Sequence, residues 1–162
     1  MTNEITYMTQ SDLRQRIRTD RQSFAKLWQN LTDEQLTQRP SCQEDWSIKD
    51  LIAHIIWWED FMIWRINDKL SGGDGKRSQS IDDYNVDIFE QHKDRGLDDI
   101  LAEFESNLPK VDTFISQFSD EQINNPEVIN ISGQALLHYL IGDTFGHYAM
   151  HRNDLQAYVD SL

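Results

Sequence analysis

The stretch "DWSIKDLIAHIIWWEDFMIWRINDKL", residues 45–70, decides the fold class. It begins with a helix-start pattern. Ser47 is an N-cap residue, Asp50 stands at the third helical position, and Trp46 and Leu51 sit where a hydrophobic staple forms. Beyond that start the segment is apolar nearly all round, with Ile52, Ile55, Ile56, Trp58, Met62 and Ile63 spread over more than one face. A helix of that kind is buried on several sides, inside a bundle and against a second subunit, so a homodimer is expected.

The flanking sequence repeats the helical period. Leu13, Ile17, Phe24, Leu27, Trp28 and Leu31 return to one side of a first helix over 11–31, with the intervening arginines directed to water. After the second helix, "SGGDGKRSQS" (71–80) reads as a long flexible loop between helices 2 and 3. Residues 81–96 and 97–118 form either one third helix in two pieces or two helices broken near Gly96, with Pro109 kinking the second piece. The last helix begins near Ser132 and carries "QALLHYLIGDTFGHYAMHRNDLQAYV". No long apolar–polar alternation occurs, so the expected class is all-α, a four-helix bundle forming one domain over residues 1–162.

Two short segments echo each other: "LTDEQLTQRP" (31–40) and "FSDEQINNPE" (118–127). In each, an apolar residue and a hydroxyl cap precede Asp-Glu-Gln, and a proline follows. Thr32 caps a short turn that Gln35 answers three residues on. Either a pseudo-two-fold duplication or a shared capping motif accounts for the echo.

There are 15 Lys+Arg against 28 Asp+Glu, a formal net charge of −13. That charge repels nucleic acid and anionic membranes, so neither is expected as a partner. The single cysteine, Cys42 in "RPSCQEDW", rules out an intrachain disulfide and fits a reducing, cytoplasmic setting; its loop position reads as incidental. The N-terminus lacks the apolar run of a signal peptide, and the 51–65 stretch is too short and too polar to span a bilayer. No G-x-S-x-G elbow, P-loop or dinucleotide fingerprint occurs, which leaves serine-hydrolase, nucleotide and Rossmann readings unsupported.

The chemistry-bearing residues are histidines. His147 and His151, in "GDTFGHYAMHRNDL", stand four apart and project from one helix face. His54 interrupts "LIAHIIWW", where an imidazole without a partner is costly. Bundle cores build metal sites from facing helices, so His54 can meet the pair there. Spacing alone leaves the other readings open: a satisfied core histidine at 54, and a surface pair at 147 and 151. His138 is about half a turn out of phase with His147 and His92 lies in a charged, solvated stretch, so both are set aside.

Three segments carry a family resemblance: "WSIKDLIAHIIWWE" (46–59), "YNVDIFEQHKDRGLDDILAEFE" (84–105) and "GHYAMHRNDL" (146–155). In their order and spacing they resemble the DinB-like metalloenzyme superfamily, and within it the ClbS/DfsB branch. The resemblance implies a DinB/YfiT-like four-helix bundle in which one histidine of the second helix and an H-x-x-x-H of the last bind a divalent metal. The matching positions here are His54, His147 and His151. Zinc or nickel is the first expectation for three nitrogen ligands, with iron and manganese as alternatives, and a low-molecular-weight thiol is a candidate co-substrate.

Such a site would act on a small-molecule substrate by hydrolysis or thiol transfer. The branch also implies an alternative, a small-molecule binding or self-protection protein without general turnover. Around the site, Asp143 reads either as an acceptor for an imidazole N–H of His147 or as a surface carboxylate, while Asn85 is expected to serve helix packing or capping and Tyr148 to pack. Trp57, Trp58 and Trp64 are candidates to wall a pocket, with core or dimer contact as the plainer reading. Glu59 stands about 140° from His54 around the helix and is not expected as a ligand.

Overall fold

Capping decides where the helices begin. The Ser47 hydroxyl accepts from the Asp50 N–H at 3.1 Å, and the Asp50 carboxylate accepts from the Ser47 N–H at 2.8 Å. This reciprocal box opens the longest helix as the sequence predicts. The Arg39 guanidinium also donates to the Asp50 carboxylate, at 2.7 and 2.9 Å. Burial of Asp50 would raise its pKa, but the bonds from Arg39 and Ser47 outweigh that and hold it below the ordinary carboxylate value.

The structure, a computed structural model, describes residues 5–41 and 45–162. Cys42 lies outside the described residues. In chain order the elements are α1 (Gln10–Ala25), α2 (Asp33–Thr37), α3 (Ile48–Leu70), α4 (Ile81–His92), α5 (Leu97–Ile115), α6 (Asp120–Asn124), β1 (Asn130–Ile131), β2 (Gln134–Ala135), α7 (Leu136–Gly142) and α8 (Phe145–Asp160). The fold is all-α: α1, α3, α5 and α8 form a four-helix bundle, and α4 packs on the outer side of α3. Leu13, Ile17 and Phe24 of α1 meet Ile52, Ile55, Met62 and Ile66 of α3, Ile100, Phe104 and Val111 of α5, and Leu155 of α8 in one core. Of the apolar surplus of α3, which suggests a second subunit, Ile52, Ile55, Ile56, Trp58 and Met62 are buried within the chain, Ile63 is half-buried and Trp64 is exposed.

The echoing segments became α2 and α6, each with a complete capping box, Thr32 with Gln35 and Ser119 with Gln122. The shared capping motif is therefore real in three dimensions. The third segment divides into two helices, with Gly96 at the N-cap of α5 and Pro109 inside it.

Three expectations are corrected. The first helix ends at Ala25 rather than Leu31, because the chain tightens into three-residue turns (Leu27 N–H to Phe24 O, Trp28 N–H to Ala25 O) that still bury Trp28. The last helix does not start at Ser132. Ser132 and Gly133 both have positive φ, at 51° and 86°, and turn a two-stranded antiparallel hairpin between Asn130–Ile131 and Gln134–Ala135. That helix is also interrupted at Asp143–Thr144, where the Thr144 hydroxyl donates back to the Leu140 carbonyl and Thr144 leaves helical geometry. The 71–80 loop is pinned at its centre: the Gly75 N–H donates to Asp68 at 3.0 Å, and the Gly75 carbonyl accepts from Arg65 Nε at 2.7 Å. Gly75 has φ +64°, a left-handed conformation that favours glycine. No helix among the described residues is long and apolar enough to cross a membrane.

Candidate metal centre

α3 carries His54 on its second turn, and α8 carries His147 and His151 on successive turns. All three are buried, and their ligand nitrogens lie within 4.8 Å of one another. His54 Nε2 is 3.0 Å from His147 Nε2, and His151 Nε2 is 3.1 Å from the same atom. Two metal–nitrogen bonds of about 2.0–2.1 Å meeting at a tetrahedral angle hold their nitrogens about 3.3 Å apart. The two short separations need only a few tenths of an ångström of opening, while the His54–His151 pair, within 4.8 Å, closes toward the same value when all three ligate one divalent ion.

The protonation state fits as well. Burial, followed by the proximity of His147 and His151, pushes the His54 pKa down to about 2. Burial, followed by His151, pushes His147 down to about 3. Burial also lowers His151, against a small opposing effect of Asp154. Neutral imidazoles with lone pairs on converging nitrogens are the form a metal requires. Nδ1 of His54 and of His147 are buried and have no hydrogen-bond partner among the described residues.

One side of the cluster is aromatic. The Trp46 ring lies 4.9 Å from the His54 ring, and Trp58 stands edge-on to His54 and His147 at 6.3 and 6.5 Å. Phe89 of α4 stacks on Trp46 at 6.2 Å. Asn85 holds this wall in place, since its Oδ1 accepts from Trp58 Nε1 at 3.2 Å. Its role is helix packing, and it reaches the site through Trp58. Trp57 and Trp64 do not wall the cluster. They stack with Phe61 in an aromatic group behind Trp58, whose ring lies 5.2 Å from that of Trp57, and Trp64 is 52% exposed. Trp46, read from sequence only as a staple, is the residue that reasoning missed.

Asp143 does not accept from His147. The break at 143–144 takes it off the face of α8, and it lines a cavity with Arg65 and Arg77. Burial raises its pKa to about 7, against the pull of Arg65 and Arg77. His92 is half-buried rather than solvated, with Nδ1 3.1 Å from Arg95 Nη1. His92 and His138 both lie outside the cluster.

A buried polar hub sits beside the histidines and was not anticipated. Glu59, fully buried, accepts from Arg21 Nε at 3.1 Å, Arg21 Nη2 at 2.8 Å, Asn107 Nδ2 at 2.8 Å and the Tyr148 hydroxyl. Arg21 is 2% exposed, which corrects the expectation that the arginines of the first helix face water. Its guanidinium lies 3.6 Å over the Phe104 ring and donates to the Phe104 carbonyl at 2.8 Å. One residue from each of α1, α3, α5 and α8 thus meets at one carboxylate. Tyr148 follows His147 directly, so the hub also fixes the rotation of α8.

A family model described as the DinB superfamily matches residues 16–155. No curated protein matches the chain. Among solved structures, the chain is similar to DfsB, a sibling lethal factor precursor, at 13% identity over 96% of this chain and 97% of that one, with a TM-score of 0.81. It is also similar to the colibactin self-resistance protein ClbS at 14% identity, over 95% and 97%, with a TM-score of 0.80. A Streptococcus pneumoniae protein aligns at 12% identity over 94% and 91%, with a TM-score of 0.77. At these identities the likeness establishes the fold.

The ClbS structure is a complex with double-stranded DNA, and it corrects one expectation. A net charge of −13 was read as excluding a nucleic-acid partner, but net charge is a sum over the whole surface. Contacts to phosphate are made locally by a few basic side chains. The exclusion does not stand.

Proposed function

The chain belongs to the DinB superfamily, and on that premise we propose that it is a divalent-metal-dependent enzyme acting on a small, partly apolar molecule by hydrolysis or thiol transfer. His54, His147 and His151 are the ligands in this reading. The observation that carries it is the convergence of three buried, neutral Nε2 atoms, two of them 3.0 and 3.1 Å from the third. Three protein ligands leave the fourth position of a tetrahedral set to a non-protein ligand, the arrangement of catalytic rather than structural sites. When bound there, a divalent ion supplies Lewis acidity that activates water, a carbonyl or a thiol.

The chain's own residues supply the rest. Burial keeps the imidazoles unprotonated. Trp46 and Trp58 exclude water from one side and offer an apolar face to substrate, with Asn85 fixing the Trp58 ring. Glu59, through Tyr148, holds α8 in the rotation that presents both of its histidines.

A second reading is a small-molecule binding or self-protection protein without general turnover, favoured by the similarity to ClbS, a self-resistance protein. Counting product separates the two. Metal-loaded protein is given an excess of p-nitrophenyl esters, or of an electrophile with a low-molecular-weight thiol. Product in many-fold excess over sites, abolished by chelation and in His147→Ala, is the expected result. Consumption that stops at about one equivalent per site supports the binding reading.

A further inference from the structure

Despite the net charge of −13, one cavity of about 520 Å³ is lined by basic side chains: Arg65 of α3, Lys76 and Arg77 of the 71–80 loop, and His138 of α7. Arg65 follows His54 by eleven residues on α3, about 16 Å along the helix axis, so this cavity is separate from the histidine cluster. Arg65 is only 8% exposed and rigidly held. Its Nε donates to the Gly75 carbonyl at 2.7 Å, and its guanidinium lies 4.7 Å over the Tyr139 ring. Among the described residues, neither Arg65 nor Arg77 has a carboxylate within 4.0 Å. A buried guanidinium without an anionic partner is costly. Asp143, the acid in this cavity, feels the charge of both arginines but pairs directly with neither.

We propose that this cavity binds the phosphate group of a small phosphorylated molecule, with Arg65 and Arg77 as its principal anchors and Lys76 at the rim. Lys76 is partly offset by Asp74 at 3.9 Å, which leaves the two guanidinium groups facing the Asp143 carboxyl, a surplus of positive charge that suits an oxyanion. Guanidinium forks suit tetrahedral oxyanions because each donates two parallel N–H bonds. The volume falls within the range of about 300–1,000 Å³ typical of small-molecule sites and exceeds what a bare phosphate fills. Gln79 and Ser132 offer polar contacts for the remainder of such a molecule. The pinned Gly75 turn sets the start of the segment that carries Lys76 and Arg77 to the cavity. Phosphate binding in this cavity does not depend on a metal at the histidines.

Calorimetric titration of the full chain at low ionic strength tests it, with phenyl phosphate and inorganic phosphate as probes and benzoate as the carboxylate control. Arg77 is exposed, so Arg77→Ala leaves the fold intact. The expected result is saturable one-site binding of phenyl phosphate, weakened tenfold or more in Arg77→Ala and in Arg65→Lys, with benzoate much weaker. No saturable binding, equal binding by parent and Arg77→Ala, or benzoate as tight as phenyl phosphate would overturn it. Arg77-dependent binding of a DNA duplex of about 20 base pairs without binding of phenyl phosphate also overturns it, in favour of a nucleic-acid backbone contact.

Discussion

Glu59→Leu lowers stability by about 3–5 kcal/mol in urea denaturation, because it strands a buried guanidinium. Arg21 is 2% exposed and its ionic partner is Glu59, at 2.8 Å. The substitution also removes the acceptor of Asn107 and of the Tyr148 hydroxyl. A domain of this size has about 5–15 kcal/mol in total, so the loss is about a fifth or more, and Tm falls by on the order of 10 °C. Replacing both partners, Arg21→Met with Glu59→Leu, recovers much of the loss, since no charge is then left unpaired. Tyr148→Phe removes one hydroxyl from the hub and costs about 1–2 kcal/mol. A Glu59→Leu loss under about 1 kcal/mol, or a double variant as unstable as the single one, contradicts the hub.

Chelator-treated protein loses stability as pH falls from 7 to 5. The unfolded histidine takes its proton near pH 6.5, whereas folded His54 and His147 do so only near 2 and 3. Between those values the unfolded state binds more protons, so stability is full above about pH 6.5 and declines below it. At pH 5 each residue contributes a loss of about 2 kcal/mol, a figure set by the unfolded pKa because both folded values lie well below 5. His92 and His151 shift in the same direction and add to the loss.

Asp143 works against them. With its folded pKa raised to about 7, it gains a proton in the folded state first and returns about 2 kcal/mol over the same interval. The parent therefore loses about 2 kcal/mol from these three groups and Asp143→Asn about 4. Denaturant midpoints at pH 7, 6 and 5 in phosphate-free buffer check this. A flat profile in Asp143→Asn contradicts buried neutral imidazoles.

The bundle was legible because its signals are local. The cap at Ser47 and Asp50, the paired Thr32–Gln35 and Ser119–Gln122 boxes and the spacing of His147 and His151 all act within one or two helical turns. Bringing His54 to that pair depends on how α3 and α8 face each other, which the family resemblance implied and periodicity alone did not. The hub was missed because charge was read as exposure. Yet Leu13, Ile17, Arg21, Phe24 and Trp28 fall on one continuous stripe, so Arg21 occupied a core position, and Glu59 sat inside an almost wholly apolar helix. That pairing of misplaced charges was the available signal. Asp143 was misassigned because Thr144 breaks the helix whose continuity the assignment assumed. The Ser132–Gly133 hairpin is two residues per strand, too short to show alternation.

Metal content is the most direct test of the three-histidine centre. Untagged parent protein and His147→Ala, each reconstituted separately with zinc, nickel, manganese and iron and then desalted, are measured by plasma mass spectrometry, with far-UV circular dichroism confirming that both are helical. The account predicts about one equivalent of one of these metals in the parent and little in the variant. A parent that retains none of the four metals, or a folded His147→Ala that retains as much as the parent, contradicts it.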